Sequence, residues 1–294
     1  MRRRVGRGSA FFPPMPISTQ WISPRSWPRA CKTPLFWHGF FSEMRQSFPG
    51  WDAIRLGPLN AGGGAIEGLL SAMRAAGLSA REFFEFGNWY EPVPEGGFEA
   101  FVAARPSQLR NTWKRRLRKL ERDTEFEMTI AGSDGGLEAA LDAYQRIYSE
   151  SWKDPEISPS FIPAMVRRYG AKDLLRLGTL IIDGRPAAAQ IWLRDGHRAI
   201  IYKLAYDETM REYSAGTILT MHMAKHAIEV DRVSEIDYGS GDDPYKRDWM
   251  SKRPERRGVI GYNPSTLRGR AGGLRERVAA MLNRGTTPET AQES

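Results

Sequence analysis

The chain has 294 residues, 41% of them hydrophobic and 27% charged, with a net charge of +8 and a pI near 9.7. That length accommodates one large domain or two ordinary ones around a sizeable core. The basic excess favours anionic partners (phosphates, nucleotides, nucleic acid or anionic lipid) without choosing among them.

One cysteine, Cys31, excludes an intrachain disulfide and fits a reducing compartment. Its basic neighbours come with no nearby His or carboxylate, so it is a poor candidate nucleophile. The opening stretch MRRRVGRGSAFFPPMP lacks the apolar run of a secretion signal. Nor does any run of about 18 apolar residues predict a spanning helix. A cytoplasmic location is the default expectation.

In chain order, the Arg- and Pro-rich residues 1–34 read as an irregular arm. Residues 35–104 then alternate strand-like pieces (WDAIRLGPL, REFFEFGNWY) with helical ones (AIEGLLSAMRAAG, FEAFVAAR), an α/β pattern. Gly62-Gly63-Gly64 precedes a helix but lacks the G-x-x-x-x-G-K-[ST] spacing of an ATP site.

Residues 106–122, PSQLRNTWKRRLRKLER, predict an uninterrupted helix opened by Pro106. Trp113, Leu117 and Leu120 form its apolar stripe. Arg110, Lys114, Arg115, Arg116, Arg118, Lys119 and Arg122 cover the rest, as a solvated face or a phosphate-contacting one.

After residue 124 the pattern predicts the order β-α-α-β-β-β-α-β. Asp-Gly-type turns join the three middle strands, and a βαβ crossover follows them. RRGVIGYNP is a further strand, STLRGRAGGLRERVAAMLNR a closing helix, and residues 285–294 a disordered tail. The expected fold class is α+β, with a mixed α/β sheet.

Three stretches carry candidate chemistry. ETMREYSAG joins a strand to a helix, so Ser214, Ala215, Gly216 and Thr217 present backbone N–H groups and a dipole end suited to an anion, or simply cap a turn. His222 and His226 have metal-ligand spacing, but Met223 stands where zinc proteases carry Glu, and helix-surface or packed histidines are the expectation. No metal is expected. IDYGSGDDPYKRDW, residues 236–249, is acidic and glycine-broken. It lacks calcium-loop spacing and places Lys246 and Arg247 inside the would-be cage, which leaves a surface turn or the rim of an active site.

Taken together, AYDETMREYSAGTIL, the loop pattern D-Y-G-x-G-D-x-x-Y-K-x-x-W and the basic helix LRNTWKRRLRKLER resemble the GNAT acyltransferase superfamily. The narrower likeness is to the cellulose-biosynthesis-type (CelD/BcsL-like) acetyltransferases, related to Fem-type aminoacyl ligases. It covers about residues 50 to 283. It implies a tandem of GNAT-like halves: a degenerate one over 35–122 ending in the basic helix, and an acyl-CoA-binding catalytic one over 123–284.

In that likeness Lys203, Leu204 and Ala205 line the pantetheine arm of acetyl-CoA. Ser214, Ala215, Gly216 and Thr217 hold its pyrophosphate, although the usual signature carries more glycine than REYSAG. The reaction implied is direct acyl transfer to an amine or hydroxyl of a sugar, envelope precursor or amino-acid-like acceptor. Asp237 or Asp242 would be the base or its orienter, Tyr245 the proton donor to the thiolate, and Lys246 the neutraliser of a phosphate or oxyanion. A Fem-like transferase using charged tRNA and a catalytically degenerate module binding anionic polymers stand as alternatives.

Overall fold

Alternating apolar residues make β1 (Ala53–Asn60) and β2 (Ser79–Gly87), yet these two strands do not pair with each other. The strand between them is β9 (Glu255–Tyr262), from the far end of the sequence. It runs antiparallel to β1, from Ala53↔Tyr262 to Asn60↔Arg256. In this computed structural model, which describes residues 34–48, 50–62, 64–150 and 158–283 (side chains from 35 through 278), two units result. One comprises residues up to Phe86 with those from Glu255 on, and the other Gly87–Pro254. The boundary expected at 122/123 falls inside the second unit. Most of the arm, including Cys31, and the 285–294 tail lie outside the described residues, as does Gly63.

The first unit closes its three-stranded sheet with α1 (Pro34–Ser47), α2 (Ala65–Ala75) and α9 (Leu267–Asn283). Phe41, Leu59, Ile66, Leu69, Met73, Leu78 and Val259 form its core. Gly258 is needed where β9 passes the Phe83 ring, because a Cβ there would lie 2.3 Å from it.

The second unit is a six-stranded mixed sheet in the order β3-β8-β7-β6-β5-β4. Here β3 is Tyr90–Pro92, β4 Phe126–Ala131, β5 Leu175–Ile182, β6 Arg185–Asp195, β7 Arg198–Tyr206 and β8 Glu235–Asp237. Strands β4 to β7 form an antiparallel meander. The β5–β6 turn places Asp183 and Gly184 both at positive φ, the type I′ geometry. The β6–β7 turn needs it only at Gly196.

Helix α7 (Ala215–Glu229) crosses from β7 to β8, which pair in parallel. Gly178 on β5 lets it sit close, since a Cβ there would come 2.3 Å from Met223 Sδ. Against α7 pack α3 (Gly97–Ala103) and α4 (Ser107–Asp123). The α4 stripe behaves as its spacing predicts: Leu120 is buried, and Trp113 and Leu117 lie against the same core. The helices α5 (Leu137–Glu150) and α6 (Phe161–Gly170) cover β5 and β6 from the other face.

A buried ion pair ties the start of this unit to its end. Arg105, just past α3, bonds Glu91 of β3 and the carbonyl of Trp249; Glu91 Oε2 also accepts from the Ser251 amide at 2.6 Å. Both side chains are buried, and the guanidinium lies 4.6 Å from the Phe101 ring centroid. Arg105→Leu should therefore destabilise the protein by roughly 3–5 kcal/mol, because it strands a buried carboxylate. The double variant Glu91→Leu/Arg105→Leu should recover most of that loss. Urea unfolding of the two variants measures both.

Candidate active site

The parallel ladder between β7 and β8 is short. It runs from Arg198↔Glu235 to Ile200↔Asp237 and stops, while β7 continues to Tyr206. Just beyond that point β7 carries an extra residue: Ile201 pairs with Trp192 and Lys203 with Ile191, leaving Tyr202 as a bulge. A bulge bends its strand and increases the local twist, so the two strands part where the ladder ends. Lys203, Leu204 and Ala205 all lie on this departing stretch. Ala205 is buried, and Lys203 Nζ sits 5.7 Å from the Tyr148 ring centroid.

At the end of β7 a 3-10 turn, Glu208–Tyr213, is capped by Asp207, whose Oδ1 accepts from the Thr209 amide at 2.8 Å. The chain then enters α7 through Ser214 at φ +53°, ψ +46°, the left-handed conformation that glycine adopts most readily. Helix geometry leaves the amides of Ala215, Gly216 and Thr217 without intrahelical acceptors, and no side-chain cap bonds to them from Ser214. Gly216 faces the Tyr206 ring at the end of β7. Charge follows along the neighbouring helix. Lys119 of α4 pairs with Glu212 of the 3-10 turn and lies 5.0 Å from the Tyr213 ring.

The acidic loop departs from β8. Asp237 is buried; its Oδ1 accepts from Asn88 Nδ2 at 2.7 Å and from the Gly239 amide at 2.7 Å. Tyr238 is buried next to it, hydrogen-bonded to Thr220 of α7, and its phenol is pushed well above the ordinary range by burial. Gly239 and Gly241 take positive φ and turn the chain back. Lys246, buried in the short α8 (Lys246–Trp249), donates to the carbonyls of Ser240 at 2.8 Å and Gly241 at 3.2 Å. It also pairs with Asp243 at 3.2 Å. The amine that the sequence offered to a phosphate or an oxyanion is thus occupied in holding its own loop.

Asp242 stands at the loop's outer turn. Its Oδ1 accepts from Trp89 Nε1 and Arg253 Nε, each at 2.8 Å, and Arg253 also bonds Oδ2. The Arg253 guanidinium lowers its pKa to about 2, which makes it a fixed anion and a weak base near neutrality. Tyr245 is 46% exposed and packs edge-on against Tyr238, with ring centroids 5.7 Å apart. Burial, then the charge of Asp243 and the nearby Tyr206, raise its pKa to about 12.

The structure thus gathers Asp237, Asp242, Tyr245 and Lys246 on one loop, and Lys203 to Ala205 on the departing strand. Ser214 to Thr217 form the helix start that follows. Among the described residues no three His, Cys, Asp or Glu side chains converge as metal ligands. His226 lies 3.8 Å from Asp231, and burial lowers the pKa of both His222 and His226.

Two groups escaped sequence reasoning. Tyr206, at the end of β7, reads as an ordinary strand residue. Gln190 and Thr220 reach each other across β6 and α7, and only a polar residue inside the apolar run AAAQIWL hinted at them.

Residues 107–247 match the acetyltransferase (GNAT) domain family. No curated protein sequence matches the chain. Among solved structures it is similar to FemX, at 10% identity over 78% of this chain and 77% of that one, with a TM-score of 0.56. It is also similar to the C-terminal domain of a protein assigned as a lysylphosphatidylglycerol synthetase from Agrobacterium fabrum (13%, 85% and 77%, TM-score 0.54). A conserved protein of unknown function from Bacteroides thetaiotaomicron VPI-5482 is a third (8%, 76% and 75%, TM-score 0.51). At these identities the likeness is one of fold.

Both loop pKa values have measurable consequences. The raised Tyr245 value contributes stability that is fully present below its ordinary 10.0 and is lost as pH climbs towards about 12. Spectrophotometric titration should show a phenol ionising near that upper value, absent in Tyr245→Phe. The depressed Asp242 value works in the other direction. The stability gap between wild type and Asp242→Asn should be present above 3.8 and close as pH falls towards about 2.

Proposed function

We propose that the protein is an acyl-CoA-dependent N- or O-acyltransferase with acetyl-CoA as its donor, a reading supported by the match of residues 107–247 to the acetyltransferase (GNAT) domain family. The observation that carries this reading is the end of the β7–β8 ladder at Ile200↔Asp237, with the α7 N-terminus at the far end of the departing strand. The pantetheine arm would run alongside Lys203, Leu204 and Ala205. The amides of Ala215, Gly216 and Thr217 would meet the pyrophosphate. No described helix is long and apolar enough to cross a membrane; a cytoplasmic location, with acyl-CoA at hand, goes with this reading.

In the transfer, the acceptor's nitrogen or oxygen attacks the thioester carbonyl, and the C–S bond breaks. Tyr245 supports the departing sulfur. A phenol held near 12 keeps its proton, so it stabilises the thiolate by hydrogen bonding rather than by full transfer. The proton released from the acceptor then completes the free thiol. Asp237 acts through the loop, because its Oδ1 anchors the Gly239 amide and so fixes where Tyr245 stands. The acceptor we favour is a sugar or envelope precursor, in keeping with the cellulose-biosynthesis-type branch.

A second reading, a donor carried on charged tRNA as in Fem-type ligases, is favoured by one observation. Arg110, Lys114, Arg115, Arg116 and Arg118 of α4 form no ion pair in the described structure, whereas Lys119 and Arg122 do.

Thermal unfolding separates the two. A ligand at 100 times its Kd stabilises the folded state by about 2.7 kcal/mol, a rise of roughly 5–10 °C for a chain of this size. Acetyl-CoA should produce that rise and charged tRNA should not. With a panel of amine and hydroxyl acceptors, free thiol should appear. Tyr245→Phe should slow its release by roughly 10- to 100-fold, the loss of one hydrogen bond to a charged sulfur. No shift with acetyl-CoA and no thiol with any acceptor would sink the reading.

A further inference from the structure

Gln190 is an anomaly in the middle of β6: a carboxamide only 1% exposed, inside an apolar run. Burying such a group costs free energy unless its hydrogen bonds are made, and here they are. Its Nε2 donates to the carbonyl of Gly216 at 3.0 Å and to Thr220 Oγ1 at 2.8 Å, and its Oε1 accepts from Trp192 Nε1 at 2.9 Å. Thr220 adds its own bond to the Gly216 carbonyl at 2.8 Å. That carbonyl sits in the first turn of α7, where the helix ladder already supplies a partner. The extra bonds therefore do not rescue an orphan; they fix the turn against the sheet.

The turn needs fixing from below, because it has no cap above. Ser214 enters it at positive φ and makes no side-chain bond to its amides. Gln190 is also the β6 residue paired directly with Leu204, midway along the stretch assigned to the pantetheine arm. One residue thus faces the donor strand through its backbone and grips the phosphate-facing turn through its side chain.

We infer that Gln190, assisted by Thr220, is a positioning residue for the donor, setting the amides of Ala215, Gly216 and Thr217 at the height the phosphates of an acyl-CoA require. The inference rests on the acyl-CoA reading above. Gln190 does not itself touch the donor; it acts through the Gly216 carbonyl.

Calorimetric titration of CoA into the full chain tests it, using wild type, Gln190→Met, Gln190→Met/Trp192→Phe and Thr220→Val. Gln190→Met keeps the side-chain length but leaves the Trp192 N–H without its acceptor, so its Tm should fall. The double variant removes that N–H. CoA should bind about tenfold more weakly to Gln190→Met, to the double variant and to Thr220→Val, whatever their Tm. In turnover the KM for acetyl-CoA should rise by the same factor, with kcat at saturation held within about twofold.

Affinity that returns to the wild-type value in the double variant, or that never leaves it in Gln190→Met and Thr220→Val, overturns the positioning role. Wild-type protein that binds no CoA at all overturns instead the acyl-CoA reading beneath it.

Discussion

The β7–β8 ladder ends after three residue pairs, and the second unit is organised around that ending. A longer β8 would pair on along β7 and fill the space where the strands diverge. Several local causes keep it short. Asp237 turns its carboxylate onto the Gly239 amide two residues on, an Asx-type turn that ends the strand. Gly239 and Gly241 take conformations closed to most residues, and Lys246 then ties the reversed chain to itself from inside. On the other side, the Tyr202 bulge bends β7 away. Parallel strands joined by a crossover helix place ligands at such openings, next to the strands' carboxyl ends.

The same unit buries polar groups where position matters more than hydrophobic gain. Gln190, Lys246, Asp237 and the Glu91–Arg105 pair are all shielded from water. Each has several partners. Three of them join segments distant in sequence (β6 to α7, Asn88 to β8, β3 to the stretch after α8), and Lys246 closes its own loop. A satisfied buried polar group gives little net stability over a well-packed apolar one. What it supplies is a single geometry. The apolar contacts of α7 could tolerate a small slide along the sheet, whereas the bonds to the Gly216 carbonyl could not.

Much of this was legible in the sequence because its signals were local. The Asp-Gly turns, the α4 stripe of Trp113, Leu117 and Leu120, and the order of elements after residue 124 follow from neighbours within a few residues. The candidate loop could be located for the same reason. What stayed hidden was pairing at a distance. β9 reads correctly as a strand, but period-two alternation cannot say that its partners are β1 and β2, some two hundred residues earlier. α1 lay next to the Arg- and Pro-rich arm and was not read as a helix, although Phe36, Trp37, Phe40 and Phe41 recur at the i, i+1, i+4, i+5 spacing of one helix face. Lys246 looked like a cation awaiting an anion, since sequence shows a charge but not the carbonyls folded back around it.

The position of β9 also has a consequence for biosynthesis. The middle strand of the first unit's sheet is made after all of the second unit, so that sheet cannot close when β1 and β2 emerge from the ribosome. The 168 residues of Gly87–Pro254 are translated in between. At 5–20 residues per second, β1 and β2 therefore wait roughly 10–30 s for their shared partner. The second unit, contiguous in the chain, can fold during that interval. Order of synthesis thus runs against order of completion: of the two units, the one begun first is finished last, and a nascent chain stalled before Glu255 would present two strand edges with nothing between them.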